Sequence, residues 1–317
     1  MKWTGKKVGL ALGGGGVRGL AHIGVIQVLE KEGIEIDLIA GTSAGALIGG
    51  AYATGMTTHE ITAKVDAYLK SSEFEESAIK SMGLLFSTGP KSFFQKAEIF
   101  ARNQYYLVKG LFSPSILPAE DFQSLINYLL PDVDIRSTRI PFYAVSTDLI
   151  TGKQVVLQEG SLRQAVLASS SVPGAIEPTR LGEWVLTDGG VTSLVPVHAA
   201  RAAGADVVIA VMVDRDLPQE TEIETAKDVL YRAGEITANA LEAAELQNAD
   251  VIIRPAVGDL HWADFSRSHT LIRIGEDAAR ESLEKIHASL PLPRRFARVA
   301  RRFLKTDKSK DTTIENQ

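Results

Sequence analysis

Gly41-Thr42-Ser43-Ala44-Gly45 decides how this 317-residue chain is read. A serine between two glycines follows the short apolar strand Leu38, Ile39, Ala40 and precedes a small-residue run, Ala44 to Ala53, of helical character. That order is the pattern of a nucleophile elbow, in which a sharp strand-to-helix turn holds a serine in strained backbone geometry and presents its hydroxyl for attack. Glycines 41 and 45 let neighbouring backbone pass where a Cβ would collide. On its own, the pentapeptide is equally open to a plainer reading as a Gly/Ser turn joining strand to helix.

Upstream, the apolar segment Val8 to Leu12 leads into Gly13-Gly14-Gly15-Gly16-Val17-Arg18-Gly19, which opens a helix running to about Glu32. Strand, glycine loop and helix N-terminus together bring free N–H groups and the positive end of the helix dipole to one place, suiting a phosphate or a developing oxyanion. Gly14, Gly16 and Gly19 fit the G-x-G-x-x-G dinucleotide pattern, but the acid that should end the second strand is replaced by Gly41 and Thr42, while Glu35 and Asp37 precede that strand. A Walker loop fails as well, with Leu20 and Ala21 where Lys and Ser/Thr are required. The loop is therefore read as an oxyanion hole built on Gly14, Gly15 and Gly16. Arg18 stands against the dipole in the first turn, so either an anionic ligand offsets it or its side chain reaches a carboxylate elsewhere in the fold.

Downstream, Asp188-Gly189-Gly190 follows the apolar stretch Trp184, Val185, Leu186. An acid at a strand end in an α/β sheet is carried toward the serine and the glycine loop, where it can act as the base that the hydroxyl needs. The alternative is an Asp-Gly tight turn. His198, His261 and His269 lie after Asp188 and raise a Ser-Asp-His triad as a second arrangement. His198, at a helix start, reads better as a capping or surface residue, and His22 as a residue packed beside the sheet. Asp148 organises a hairpin turn toward Gly152, and the acid pairs Asp132/Asp134 and Asp214/Asp216 read as solvated turns outside any EF-hand spacing.

Taken together, Gly14-Gly15-Gly16-Val17-Arg18-Gly19, Gly41 to Gly45 and Asp188-Gly189-Gly190 resemble, in order, the G-G-G-x-R/K-G, G-x-S-x-G and D-G-A/G motifs of the patatin-like phospholipases. The segment Ala165 to Pro178 resembles that family's approach to its aspartate, and the likeness covers roughly residues 6 to 215, closest to compact bacterial members. The resemblance implies a three-layer α/β/α fold with a mainly parallel sheet. It also implies a serine acyl hydrolase using a Ser43–Asp188 dyad, with Gly14, Gly15, Gly16, Arg18 and Gly19 around the oxyanion and Gly41, Gly45, Gly189 and Gly190 as motif glycines. Phospholipase A or lysophospholipase-like cleavage of a lipid or small ester through an acyl-serine is the implied reaction, with no cofactor and no metal. An aspartate is a weak base for serine, so burial is expected to raise its pKa. The competing classes are a nucleotide-binding Rossmann-like module and a catalytically silent signalling or interaction protein on the same fold.

Composition agrees with a soluble enzyme: 45% hydrophobic residues, a formal charge of −5 and no cysteine, which removes disulfides, thiolate metal sites and a cysteine nucleophile. Lys2, Lys6 and Lys7 run straight into Val8 without a separate apolar region, and no apolar run reaches the ~18 residues of a membrane span. A cytoplasmic location, or a peripheral one on the inner membrane face, is the expectation. Strands are expected near 7–12, 38–40, 140–147, 153–157, 183–187, 206–213 and 250–254, and a helix near 58–70 opened by a Thr57/Glu60 capping box.

Two segments stand apart from the domain at 1–290. Residues 71–118 crowd Phe86, Phe93, Phe94, Phe100, Tyr105, Tyr106 and Phe112 among Ser, Gly and Pro, as either a lid over an acyl pocket or a helical insertion with its own core. Within 291–317, Pro291 and Pro293 set off Arg294 to Lys305, where six basic residues and no acid surround an apolar face of Phe296, Val299, Ala300 and Phe303. This helix is either a peripheral anchor for anionic membrane or a surface helix that packs its Phe face on the domain. The acidic body argues against nucleic acid.

Overall fold

The computed structural model describes residues 6–77, 80, 115, 119–214, 223–258, 260 and 264–291. In chain order the strands are β1 (Val8–Leu12), β2 (Leu38–Thr42), β3 (Phe142–Asp148), β4 (Gln154–Leu157), β5 (Thr179–Leu181), β6 (Trp184–Asp188), β7 (Val207–Val211) and β8 (Val251–Ile253). The principal helices are α1 (Ala21–Lys31), α2 (Ala44–Ala53), α3 (Thr58–Leu69), α4 (Ala119–Leu129), α5 (Leu162–Ser169), α6 (Val197–Ala202), α7 (Ala226–Leu246) and α8 (Ser268–Glu281).

One sheet carries the molecule, in the order β5-β6-β3-β2-β1-β7-β8, with β4 also on β3. Every residue of β1, β2 and β7 is buried, as expected of parallel strands covered on both faces. Alternation then assigns the two sides. Leu10 and Leu12 face the larger core with α1 and α2, whereas Ala11 faces α6. Ala40, Ala11 and Ala210 align in register across three strands, and this alanine row lets Ala199 and Ala200 of α6 approach closely. On the other side α1 crosses α8 at Gly24 and Gly275, where a Cβ on either residue would lie 1.9 Å from a backbone oxygen of the partner helix.

The sheet is parallel through β3-β2-β1-β7-β8 and antiparallel through β3-β4, β3-β6 and β5-β6, so "mainly parallel" holds for its core and not for its wing. Register along β3 fixes which strand ends meet. Ser146 pairs with both Val155 of β4 and Asp188 of β6, so those strands occupy opposite edges of β3; Val145 pairs with Val156 of β4 and Thr42 of β2. β2 and β6 therefore share one edge, run toward each other, and stop end to end at Thr42 and Asp188.

The expected strands are all present with ends shifted by a few residues, and α3 begins at the Thr57/Glu60 capping box. β5 is an addition to them, three residues between Pro178 and Gly182 of which Thr179 and Leu181 are half-buried and Arg180 is exposed. After the glycine loop the first turn is a 3-10 turn, Gly16–Leu20, before α1 proper. Among the described residues no helix is long and apolar enough to cross a membrane. The aromatic segment expected as a lid lies outside the described residues apart from 71–77, 80 and 115, and Arg294 to Lys305 lies wholly outside them.

Candidate active site

Ser43 has φ 54°, and among the described residues it is the only non-glycine with positive φ. Such a conformation costs about 1–3 kcal/mol and persists only where surroundings over-determine it. Here they do. The Ser43 N–H donates to Ser169 Oγ at 3.0 Å, Ser169 in turn donates to the Val145 carbonyl at 2.6 Å, and the Thr42 hydroxyl donates to the Ser193 carbonyl at 2.9 Å. The flanking glycines are required by contact: a Cβ at Gly45 would sit 2.1 Å from the Leu12 carbonyl oxygen, and one at Gly41 2.6 Å from Ala46 Cα.

The glycine loop lies directly alongside, with a Cβ built on Gly14 only 3.2 Å from Ser43 Cβ. Gly13 N–H is committed to the Val211 carbonyl at 3.0 Å and Gly14 N–H to that of Leu194 at 2.9 Å. Gly15 and Gly16 donate to no described residue. Arg18 takes the second of its two expected courses: Nη2 pairs with Asp214 Oδ1 at 2.7 Å, and Nε–H donates to the Gly15 carbonyl at 3.1 Å. Because C=O and the next N–H point opposite ways in a trans peptide, holding the Gly15 oxygen aims the Gly16 N–H away from Arg18. Arg18 thus supports the loop through both contacts while lining the cleft beside Ser43. Gly19 gives the 3-10 turn its seat, since a Cβ there would fall 2.4 Å from Ala44 Cβ. His22, fully buried, donates from Nε2 to the Gly13 carbonyl at 2.8 Å, and burial drives its pKa down to about 4, so the ring is neutral.

Asp188, 6% exposed, ends β6 beside this assembly. Its Oδ1 accepts the Gly190 N–H at 2.7 Å, the Asp-Gly turn expected of this dipeptide, and its own N–H donates to the Ser171 carbonyl at 2.9 Å. Ser43 and Asp188 line the same cleft, close enough for the serine side chain to act on the carboxyl's pKa. Burial pushes the Asp188 pKa up to about 6, against the opposing pull of the Gly190 N–H and the Ser43 side chain. Gly189 must be glycine because its Cβ would lie 2.2 Å from the Val145 carbonyl oxygen.

Of the histidine alternatives, neither His198 nor His269 converges here. His198 is exposed, its N–H donating to Glu245 Oε1 at 3.2 Å and its ring lying 3.5 Å from Asn248; exposed His269 pairs with Asp66 at 3.2 Å; His261 lies outside the described residues. Asp148 receives the Thr151 hydroxyl and the Ile150, Thr151 and Val185 N–H groups, as a turn organiser should. Asp134 caps its own turn through the Arg136 N–H. Among the described residues no group of three or more His, Asp or Glu is arranged to hold a metal.

Ser43 stands where two cavities meet. One is an apolar tunnel lined by Leu47 of α2, Val65 and Tyr68 of α3, Leu125 and Leu129 of α4, and Phe265. The other is an open cleft lined by Gly14–Gly16, Arg18, Asp188 and Asp214, with Ala233, Thr237 and Leu241 of α7 on its far wall. The tunnel lining comes from helices whose role is not evident from periodicity alone. Sequence reasoning also misses Ser169, legible only as one of three serines before Pro173, and Glu245. That buried acid accepts the Ser193 hydroxyl at 2.7 and 2.8 Å and anchors the loop after Asp188.

The family model for patatin-like phospholipases matches residues 10–201, more than half of the chain. An uncharacterized NTE family protein of Mycobacterium tuberculosis is 30% identical over 305 residues, covering 89% of this chain and 47% of that protein. A second from the same organism is 35% identical over 205 residues, covering 65% and 48%. Lysophospholipase NTE1 of Saccharomyces cerevisiae is 28% identical over 308 residues, covering 89% of this chain and 17% of the yeast protein. The chain spans about half the length of the mycobacterial relatives it matches. Among solved structures, VipD from Legionella pneumophila aligns over 88% of this chain and 67% of that one, at 15% identity and a TM-score of 0.46.

Proposed function

This chain belongs to the patatin-like phospholipase family, and from that premise we propose that it hydrolyses the carboxylic ester of a lipid at Ser43, with Asp188 as the base. The observation that carries the reading is Ser43, held at φ 54° at the junction of an apolar tunnel and an open cleft whose lining it shares with the buried Asp188 carboxylate. In this scheme the acyl chain enters the tunnel and the ester carbonyl comes to Ser43. Oγ attacks the carbonyl carbon as its proton passes to Asp188, and the oxyanion is received by the Gly15 and Gly16 N–H groups. Collapse returns the proton from Asp188 to the departing alkoxide, which leaves through the cleft. Water then gives its proton to Asp188, attacks the acyl-serine, and the freed fatty acid departs as Ser43 is reprotonated. A pKa near 6 leaves Asp188 ionised at neutral pH, yet a stronger base than an ordinary aspartate.

A single tunnel-bound chain with a polar group left in the cleft is the shape of a lysophospholipid, and the name of the yeast relative supports that choice. The test is to incubate the purified protein with lysophosphatidylcholine and with diacyl phosphatidylcholine and to measure fatty acid release, alongside labelling by a fluorophosphonate probe. Release from the lysolipid exceeding that from the diacyl lipid, with labelling lost in Ser43→Ala, is expected. Neither release nor labelling would reject the hydrolase.

A further inference from the structure

Three consecutive serines stand at the C-terminus of α5, Ser169 as its last residue and Ser170 and Ser171 just after it, each of them no more than 1% exposed. Two are used by the fold. Ser169 ties the Ser43 N–H to the Val145 carbonyl, and Ser171 donates to the Leu167 carbonyl at 3.0 Å while bonding the Thr179 hydroxyl at 3.0 Å. Ser170 differs: its Oγ is buried with no hydrogen-bond partner, although a serine at a helix end can turn back to the preceding turn as Ser171 does. A buried hydroxyl left unmatched costs stability, and alanine at this position would remove the cost. An orphan of this kind needs a reason.

The reason lies in where the hydroxyl sits. Ser170 lines the apolar tunnel together with Ser43, and Tyr68 brings the one other polar side chain to that lining among the described residues. Tyr68 Oη is also unpartnered, but it belongs to α3 within an aromatic group with Phe74 and Tyr128, whereas Ser170 is the next residue after the clamp on Ser43. An unsubstituted acyl chain carries oxygen at one end only, and attack requires that end at Ser43. The acceptors that such a chain brings into this lining are therefore the ester oxygens.

We propose that Ser170 Oγ donates a hydrogen bond to the carbonyl oxygen of the scissile ester, as a third donor beside the Gly15 and Gly16 N–H groups. The inference rests on Ser43 being the nucleophile. No proton leaves Ser170; its bond strengthens as charge develops on the oxygen and relaxes when the carbonyl re-forms.

The experiment compares wild type, Ser43→Ala and Ser170→Ala in the full chain, on a soluble p-nitrophenyl ester, with a thermal melt of each. Ser170→Ala is expected to lower kcat by about 10²-fold, to leave KM within about threefold, and to melt at or above the wild-type midpoint, because its only loss is an unmatched hydroxyl. A kcat within about twofold of wild type overturns the inference. So does a loss of kcat accompanied by a clearly lower melting midpoint, which marks a packing role. A silent wild type, or turnover retained by Ser43→Ala, brings down the assignment of the nucleophile and this inference with it. An inactive Ser43→Ala beside a fully active Ser170→Ala brings down this inference alone.

Discussion

The parallel half of the sheet and its antiparallel wing divide the proposed dyad between them and hold its members by different means. The parallel half supplies Ser43 and the glycine donors, fixed by backbone: strands buried on both faces, glycines in contact with neighbouring main chain, and the committed Gly13 and Gly14 N–H groups. The wing supplies Asp188, fixed by side chains: Thr187 donates to the Ser171 carbonyl at 2.7 Å, Thr147 bonds Thr192 at 2.8 Å, and Asp148 gathers the turn at the tip. That tip exposes Leu149, Ile150 and Trp184, where β1 exposes nothing. In the proposed dyad a rigidly held Ser43 thus meets an Asp188 held by stitches that single substitutions can remove.

Substitutions should separate the two halves in order of size. Ser43→Ala is expected to cut ester hydrolysis by at least about 10³-fold with an unchanged melting curve, and Asp188→Asn to cut it comparably. The two should part company in stability. A carboxyl whose folded pKa is raised from 3.8 to about 6 destabilises the fold in its ionised form, by about 3 kcal/mol once the pH is above both values. Asp188→Asn is therefore expected to melt higher than wild type at pH 7.5, with the gain fading as pH falls from 6 toward 4. A gain that does not change with pH would show that the carboxylate is not the source. Next in size, Gly15→Val places a Cβ 2.9 Å from Val213 Cγ2 and displaces a donor, for an expected loss of about 10²–10³ in kcat.

Ser169→Ala tests the seam between the halves. It removes the acceptor for the Ser43 N–H and the donor to Val145, and about a tenfold loss in kcat with about 1–3 kcal/mol of stability is expected by kinetics and denaturant melts. Smallest, kcat/KM of the wild type should climb with pH through an apparent pKa near 6 and then level, the base being active only when ionised. A profile that levels below pH 5 would mean Asp188 titrates as an ordinary carboxylate. His22 acts on stability in the opposite direction: kept neutral with a pKa near 4, it favours the fold above pH 6.5 and loses that contribution as the pH falls toward 4.

The elbow and the glycine loop are legible because each is a local pattern: apolar strand, glycines demanded by close backbone, then helix. Arg18 shows the limit of local reading. Its charge at the helix start signals an anion, while its partner Asp214 stands about two hundred residues away, a separation no periodicity reports. Ser169 and Glu245 are hidden for the same reason, since a serine in a polar-looking run and a glutamate in a largely exposed helix gain their roles only from what the sheet register brings against them. β5 escapes because three residues, two half-buried about an exposed arginine, carry too little alternation to stand out.

The end-to-end meeting of β2 and β6 on one edge of β3 also orders events during synthesis. A chain that has emerged from the ribosome only through β3 already holds the elbow sequence and the glycine loop, but half of that edge is open and no carboxylate faces the serine. The base arrives with Trp184–Asp188, the strand that also completes the edge. Completion of that edge of β3 and, in the proposed dyad, delivery of the base to Ser43 are thus one step, and a nascent fragment released before it lacks the Asp188 carboxylate.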